Sequence, residues 1–233
     1  AHASAGGGGR KMAAASPAAD GRAVYDINEL VFFGRLEVRK GIVLFCDAID
    51  GMLAAGEVPE GARVTFMGSD RNNVGDVDGG EYARRRAAAW RHHIHVEVVT
   101  GKDSVGALSY LLGGARMAVM PSLIENSPLS ILELIGASIP FTASTAGGIP
   151  ELVSEDDHEE LLFAPELEPL RARLKAALAG GWKVPRAAAD LGAIERRWVE
   201  WHAAVAGVRN GLSRGDLAAP DLAAALAATA ATA

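Results

Sequence analysis

Two glutamates and a predicted helix start lie close together between residues 121 and 133, in an arrangement that suits a phosphate-bearing ligand. Ser127 is a good N-cap and Pro128 suits the first helical position, so a helix is predicted to begin there. The first turn of a helix presents free N–H groups and a positive dipole end, which favour a phosphate. Glu125 precedes this helix. Glu133 lies on it among apolar residues, which predicts a buried carboxylate that needs ligand hydroxyls.

A second polar segment follows a strand predicted at residues 29–33. Arg35 offers a planar guanidinium that matches phosphate oxygens, and Lys40 offers a mobile point charge. Together with the predicted helix start, these cations could compensate the negative charge of a phosphate-bearing ligand without a metal ion. The alternative is an ordinary strand-to-helix loop that carries two surface cations.

The chain alternates short β-branched or aromatic runs with helical patterns, which predicts a parallel sheet covered by helices. The predicted strands are 29–33, 63–67, 94–99, 116–120, 139–143 and 161–163. The predicted helices are 39–55, 81–91, 104–113, 128–137, 149–153, 165–179 and 187–205. These connections predict an α/β fold with a Rossmann-like, doubly wound parallel sheet of about six strands in the order 3-2-1-4-5-6. Arg35 then follows strand 1 and Glu125 follows strand 4, so both segments meet at the topological switch point, where such sheets bind ligands.

Three motifs in the chain resemble those of one enzyme family in order and in separation. Glu125 and Glu133 resemble the E-x7-E motif of retaining GT-B glycosyltransferases of the GT4 family. Gly34-Arg35-Leu36 followed by Lys40-Gly41 resembles the family's G-R-L…K-G segment. The segment from Thr145 to Glu151 resembles its T-x-x-G-G-x-P-E segment.

The resemblance implies binding of a nucleotide diphosphate sugar, UDP-linked by default, with neither a cofactor nor a metal. It assigns Arg35 and Lys40 to the diphosphate of this donor. It assigns Glu125 to hydroxyls of the donor sugar and Glu133 to the ribose. The implied catalytic residues are Arg35, Lys40 and Glu125, and the implied donor-binding residues are Gly34, Arg35, Lys40, Glu125, Asn126, Ser127, Leu129, Ser130 and Glu133.

The resemblance covers roughly residues 28–205, which are expected to form the donor-binding half of a GT-B enzyme. Residues 1–27 are rich in Ala and Gly and predict a disordered or linker segment, with a transit-peptide remnant as the alternative. The alanine-rich residues 206–233 predict a C-terminal tail that could be helical. A GT-B enzyme holds its acceptor in a second, N-terminal domain, and too few residues precede the first predicted strand to form one. We therefore expect a longer native protein and donor binding without transfer by this chain alone, and the sequence does not name the acceptor.

The amino-acid composition limits the expected binding partners and the expected cellular compartment of the protein. The formal net charge of -6 and the pI near 5.5 argue against a nucleic-acid surface, which would normally be basic. Cys46 is the single cysteine, so an internal disulfide is excluded and a reducing compartment is the default. We expect a cytoplasmic protein, with a plastid or another organelle as the alternative if the N-terminal segment is a transit remnant. No apolar run approaches the ~18 residues of a transmembrane helix.

Three other polar groups are interpreted as structural. Asp76-Val77-Asp78 is similar to a metal-binding D-x-D motif, but it lies in a Gly- and Asn-rich stretch that predicts a solvated loop. Residues 92–95 hold three histidines without a carboxylate or cysteine at ligand spacing, so no metal site is expected. The acidic run at residues 155–160 is predicted to be an exposed turn.

Two other functions stay open beside a glycosyltransferase donor domain. One is a non-catalytic module that binds nucleotide sugars or a protein partner through the same fold. The other is a Rossmann-like enzyme similar to nucleotide-sugar epimerases. The absence of a Gly-x-Gly-x-x-Gly segment after the first predicted strand argues against an NAD enzyme.

Overall fold

The computed structural model describes residues 21–211 of the chain. Most of the predicted N-terminal segment 1–27 and of the predicted tail 206–233 lies outside these residues. Contacts divide the chain into two compact units, one that ends at Ala188 and one that begins at Ala189. The first unit contains the predicted sheet.

Short strands alternate with helices through the first unit. The strands within residues 21–211 are β1 (Val24–Tyr25), β2 (Glu29–Phe33), β3 (Arg63–Met67), β4 (Asn73–Val74), β5 (Val77–Asp78), β6 (His95–Val99), β7 (Arg116–Met120), β8 (Phe141–Ser144), β9 (Leu162–Phe163) and β10 (Trp182–Lys183). The α-helices in the same range are α1 (Ile42–Ala54), α2 (Gly79–Trp90), α3 (Ser104–Leu112), α4 (Leu129–Gly136), α5 (Ile149–Leu152), α6 (Glu155–Leu161), α7 (Leu167–Leu178) and α8 (Leu191–Gly211). A short 3-10 helix covers Val38–Lys40.

Six of the strands form one parallel sheet in the order β6-β3-β2-β7-β8-β9. This is the predicted order 3-2-1-4-5-6, so the doubly wound, Rossmann-like fold is confirmed. Successive side chains of a strand point to opposite faces, and β2 shows this clearly. Leu30 and Phe32 belong to one hydrophobic cluster, whereas Val31 belongs to the other. The central strands are therefore buried on both faces. A ligand site in such a sheet is expected beyond the carboxyl ends of the strands.

Asp76 and Asp78 are exposed, as predicted, but the segment Asp76-Val77-Asp78 forms part of a short hairpin instead of an irregular loop. Val74 of β4 pairs with Val77 of β5, and Val74 is buried. The Asp78 carboxylate accepts a hydrogen bond from the backbone N–H of Glu81 at 2.8 Å and so caps the start of α2. The role of Asp78 in this structure is therefore helix capping.

The prediction of an exposed turn at residues 155–160 is wrong, because these residues form most of α6 and Asp157 is completely buried. Oδ1 of Asp157 accepts a hydrogen bond from Arg22 at 2.7 Å, and Oδ2 accepts one from the backbone N–H of Arg186 at 2.8 Å. Burial alone would raise the pKa of Asp157. Hydrogen bonds from Arg186 and the positive charge of Arg22 outweigh burial, so the pKa lies below its ordinary value. A run of acidic residues usually marks solvent exposure, and only these distant partners make burial favourable here.

Helix α8 forms most of the described part of the second unit and is 21 residues long. The rings of Trp198 and Trp201 stack with their centroids 5.8 Å apart, and both side chains are exposed. Among the helices of residues 21–211, none is both long enough and apolar enough to cross a membrane.

Candidate functional site

A crevice opens at the switch point of the sheet, beyond the carboxyl ends of β2 and β7. Its cavity measures about 220 Å³. Four of the predicted site residues lie around this one cavity, namely Gly34, Arg35, Lys40 and Ser130. The apolar floor comes from the strand ends, and the complete lining is Phe33, Gly34, Arg35, Lys40, Met67, Gly68, Lys102, Asp103, Ser104, Ala107, Met120 and Ser130. The two segments that the topology predicted to meet are therefore neighbours in space.

Lys40 and Glu125 form an ion pair at the edge of this crevice, although 85 residues separate them in sequence. Both side chains are largely buried, with 16% of Lys40 and 7% of Glu125 exposed. The hydroxyl of Ser122 donates a second hydrogen bond to the same carboxylate oxygen of Glu125, at 3.2 Å. A predicted phosphate cation and a predicted sugar-binding carboxylate thus form an ion pair with each other.

Arg35 is held by a different carboxylate, that of Glu37. A guanidinium nitrogen of Arg35 lies 3.3 Å from Glu37, and Arg39 donates to the same carboxylate oxygen at 3.0 Å. The side-chain amide of Asn72 donates to the other oxygen of Glu37. Burial lowers the pKa of Lys40, and the positive charges of Arg39 and Arg35 lower it further. The cluster therefore brings the cationic side chains of Arg35, Arg39 and Lys40 close together beside the crevice.

Gly41 brings the loop that carries Glu125 against the segment that carries Lys40. The residue has φ 78°, in the left-handed region, and it is both the C-cap of the short 3-10 helix and the N-cap of α1. A Cβ at this position would lie 1.8 Å from the carbonyl oxygen of Pro121. The contact continues where the backbone N–H of Leu123 donates to the carbonyl of Arg39 at 2.9 Å. Only glycine fits at this crossing of two backbones.

The segment from Thr145 to Glu151, the third family motif, packs against the loop that carries Glu125. Gly147 has φ 58°, and a Cβ there would lie 2.0 Å from the carbonyl oxygen of Glu125. The backbone N–H of Gly148 donates to the carbonyl of Asn126 at 2.6 Å. The hydroxyl of Ser144, at the end of β8, donates to the carbonyl of Ser122 at 2.6 Å. The glycine pair therefore positions Glu125 and Asn126, a role that the sequence did not assign to it.

The predicted start of α4 is wrong by one residue. The helix begins at Leu129, and its N-cap is Pro128, with φ -75° and ψ 113°. Ser127 makes no capping hydrogen bond and lies exposed beside Asn126 in the preceding loop. Proline fixes φ near the extended conformation that an N-cap adopts, and this explains the shift. The helix still points its first turn, which contains Ser130, toward the crevice.

The predicted burial of Glu133 is also wrong. Helix α4 buries only Ile131 and Leu134, and Leu129 is 72% exposed. Glu133 lies on the exposed face, where its two carboxylate oxygens each lie 3.3 Å from the Ser104 hydroxyl. The helix therefore has one buried face and one exposed face despite its apolar composition. Glu133 remains close to the crevice because Ser104 lines it.

Comparison with known proteins gives this geometry a family context. A sequence model of the family described as glycosyl transferases group 1 matches residues 27–180. The chain belongs to that family. Its curated relatives include the sulfoquinovosyl transferase SQD2 of Arabidopsis thaliana, which is 26% identical over 189 residues. A glycogen synthase of Alkalilimnicola ehrlichii is 32% identical over 129 residues.

This group 1 family member spans only part of these relatives. The aligned region covers 78% of this chain but 32% of the sulfoquinovosyl transferase, and 55% of this chain but 24% of the glycogen synthase. Among solved structures, Anabaena HepE in complex with UDP and glucose is similar with a TM-score of 0.51 at 19% identity, over 66% of this chain and 39% of that one. At this identity the similarity shows the fold alone. The resemblance to the GT-B glycosyltransferases is confirmed by the family match.

Several polar residues of the group 1 domain were missed by the sequence interpretation. Lys102 lines the crevice from the loop after β6, Ser104 lines it from the start of α3, and Glu37 pairs with Arg35. The position of Lys102 and Ser104 after the carboxyl end of a predicted strand could have indicated them, since all such loops lie at the same edge of a parallel sheet. Glu37 gave no comparable signal, because a glutamate between two arginines in a loop is ordinary.

Two larger cavities lie elsewhere in the first unit, at the amino ends of the strands. One measures about 400 Å³ and is lined in part by Asn28 and Pro59–Ala62. The other measures about 680 Å³, is more open and includes the three histidines at residues 92–95, all of which are exposed. Within residues 21–211 no group of three or more His, Cys, Asp or Glu side chains is arranged to hold a metal. Neither cavity combines a cation pair with a helix start as the switch-point crevice does.

Proposed function

We propose that the first unit is the donor-binding domain of a retaining glycosyltransferase that uses a nucleoside diphosphate sugar, with a UDP-sugar as the first candidate. One observation carries the proposal. Arg35, Lys40 and the start of α4 surround a single crevice, and Glu125 contacts it through Lys40. A diphosphate favours cations and free N–H groups, whereas sugar hydroxyls favour a carboxylate acceptor. The crevice offers both kinds of group side by side.

In the proposed complex, the diphosphate lies between Arg35 and Lys40 at the first turn of α4. The guanidinium of Arg35 is half exposed, so it can turn from Glu37 to phosphate oxygens without a large loss of burial. The backbone N–H groups of Leu129 and Ser130 complete the cradle for the phosphates. These groups stabilise the negative charge that develops on the leaving diphosphate.

The two glutamates bind the two ends of the donor in this proposal. Glu125 accepts hydrogen bonds from hydroxyls of the transferred sugar. Glu133 accepts hydrogen bonds from the ribose, and its exposure on α4 makes its carboxylate accessible to that ligand. Ser104 contacts both oxygens of Glu133 and orients the carboxylate toward the crevice that it lines.

The acceptor is proposed to be held by residues outside the region that this chain shares with its relatives. Retention requires the acceptor hydroxyl on the same face of the sugar as the leaving diphosphate, and such alignment supplies much of an enzyme's rate. The matched region accounts for 32% of the Arabidopsis relative, so most of that protein lies outside it. Arg35, Lys40 and Glu125 are the proposed catalytic residues of the donor half.

Arg35→Ala is expected to weaken UDP binding to this chain by about ten-fold or more, because a hydrogen bond to a charged group contributes about 1.5–3 kcal/mol. Lys40→Ala is expected to weaken binding at least as much. Isothermal titration calorimetry with UDP, GDP and ADP and their sugars measures the effect and identifies the base.

Arg84→Ala provides a matched control for the arginine substitution. The side chain of Arg84 is 50% exposed, compared with 51% for Arg35, and it pairs with Glu81 at 3.9 Å on α2. Its removal is expected to leave nucleotide affinity unchanged. Equal UDP affinity in the wild-type chain and in the Arg35→Ala and Lys40→Ala variants would place the nucleotide elsewhere.

Donor binding is also expected to need no metal ion. Arg35, Lys40 and the dipole of α4 supply the positive charge that a D-x-D enzyme takes from a divalent cation. Titration of UDP-sugar into protein treated with a chelator is expected to give the same affinity as titration with added Mn²⁺. Loss of binding in the chelator, restored by Mn²⁺, would contradict this expectation.

A further inference from the structure

The two cations proposed to bind the diphosphate are both paired with carboxylates of the chain, but the two pairs differ in burial. Arg35 is half exposed, and its partner Glu37 also accepts from Arg39 and Asn72. The pair of Lys40 and Glu125 is largely enclosed. The Glu125 side chain is only 7% exposed and has Ser122 as its other side-chain donor.

We propose that Glu125 makes the site select the intact sugar donor over the free nucleoside diphosphate, because any ligand that takes Lys40 leaves this nearly buried carboxylate in need of new donors. This inference rests on the proposed donor-binding function and extends it. Glu125 thereby acts as an internal anion that competes with the diphosphate for Lys40.

A free nucleoside diphosphate attracts Lys40 with its phosphate oxygens but brings no hydroxyl to Glu125. Among the side chains of residues 21–211, Ser122 is then the remaining hydrogen-bond donor to this carboxylate, in a place where little water can reach it. A buried charge that loses its partner is strongly unfavourable. The full cost of breaking the ion pair therefore falls on the binding of the nucleotide alone.

A sugar donor takes Lys40 away from Glu125 but supplies new hydrogen-bond donors to that carboxylate. Its phosphates take Lys40, while the sugar hydroxyls donate to Glu125 in the same binding event. The carboxylate then exchanges one donor for another, and charge-assisted hydrogen bonds from hydroxyls are strong. The same ion pair thus opposes the nucleotide product and permits the donor, which favours release of the product after transfer.

The pair of Arg35 and Glu37 cannot discriminate in this way. When Arg35 turns to a phosphate, Glu37 keeps its hydrogen bonds from Arg39 and Asn72. The cost is therefore small, and it is the same for ligands with and without a sugar. This difference supplies a matched control within one crevice.

The test is calorimetry of the full chain with three pairs of ligands: UDP with UDP-glucose, ADP with ADP-glucose, and GDP with GDP-mannose. The pair that binds is used for the variants. In Glu125→Gln, the affinity for the free nucleotide is expected to rise about ten-fold, since a neutral amide no longer holds Lys40. The affinity for the sugar donor is expected to stay level or fall. The preference for donor over nucleotide therefore shrinks by about ten-fold or more.

Two further variants keep the test decisive if Glu125→Gln folds poorly. Ser122→Ala removes the second side-chain donor to Glu125, so the preference for the donor is expected to grow as nucleotide binding weakens. Glu37→Gln is expected to change the affinities for nucleotide and donor by the same factor and to leave the preference unchanged.

The outcomes separate this inference from the function on which it rests. If the wild-type chain binds both ligands and neither Glu125→Gln nor Ser122→Ala changes the preference, the selection by Glu125 is wrong and the donor site stands. Weaker binding of the free nucleotide in Glu125→Gln also overturns the inference. A wild-type chain that binds none of the six ligands overturns the donor site and this inference together.

Discussion

Gly41→Ala is expected to lower the free energy of unfolding by about 3 kcal/mol or more and to weaken nucleotide binding at least ten-fold. A residue with a Cβ loses about 1–2 kcal/mol in the left-handed conformation that Gly41 adopts. The new Cβ would also lie 1.8 Å from the carbonyl oxygen of Pro121, so one of the two backbones must move, at a further cost of about 1–3 kcal/mol. Movement there displaces Lys40 from Arg35 and from the first turn of α4, which together form the proposed diphosphate site.

Gly56→Ala is the control that isolates the close approach. Gly56 has φ 67°, in the same left-handed region, but a Cβ there would meet nothing within 4 Å. We expect it to cost about 1 kcal/mol of unfolding free energy, with no change in nucleotide affinity. Urea denaturation and calorimetry of both variants measure these differences. Equal destabilisation of the two variants would show that the contact with Pro121 contributes nothing.

Asp157→Asn is expected to lower the free energy of unfolding by about 3 kcal/mol at neutral pH, because it leaves the charges around a completely buried site unbalanced. Both carboxylate oxygens of Asp157 accept hydrogen bonds, from Arg22 and from the side chain and backbone N–H of Arg186. An asparagine offers one acceptor oxygen in place of two and carries no charge. Urea denaturation of the variant and the wild-type chain measures the loss.

The effect of Asp157→Asn should depend on pH in a defined direction. The pKa of Asp157 is lower in the folded chain than its ordinary value, so the carboxylate stabilises the fold above the unfolded pKa of about 3.9. This contribution is lost as the pH falls through the folded pKa. The stability difference between variant and wild type should therefore be full at neutral pH and shrink in acid.

The neighbouring substitution Asp156→Asn is the matched control. Its carboxylate is 77% exposed and contacts Arg186 at 3.2 Å. An exposed pair of this kind contributes about 0–1 kcal/mol, so little loss is expected. An Asp157→Asn variant as stable as Asp156→Asn at neutral pH would contradict a stabilising role for the buried carboxylate.

The order of the strands and the meeting of the two polar segments could be predicted from sequence. Each strand is a short run of β-branched or aromatic residues, and its spacing from the next leaves room for one helix. In a doubly wound sheet this pattern sets the order of the strands. The order in turn decides that the loops after strands 1 and 4 are adjacent, which placed Arg35 and Lys40 near Ser130.

The burial of single carboxylates could not be predicted in the same way. Glu133 was expected to be buried because its helix neighbours are apolar, and it is exposed because only one face of α4 packs on the sheet. Asp157 was expected to be exposed because its neighbours are acidic, and it is buried because Arg22 and Arg186 meet it. Local composition describes a segment, whereas burial depends on what the rest of the chain brings to it.

The sequence by itself determined the fold, the family motifs and the edge of the sheet where a ligand would bind. The tertiary structure decided the pairing of Lys40 with Glu125, the support of Arg35 by Glu37 and the crossing of backbones at Gly41. The physical reason is the distance along the sequence between the residues that interact. Strand and helix patterns arise from residues a few positions apart, whereas ion pairs and close backbone contacts join residues such as Lys40 and Glu125 that only the folded chain brings together.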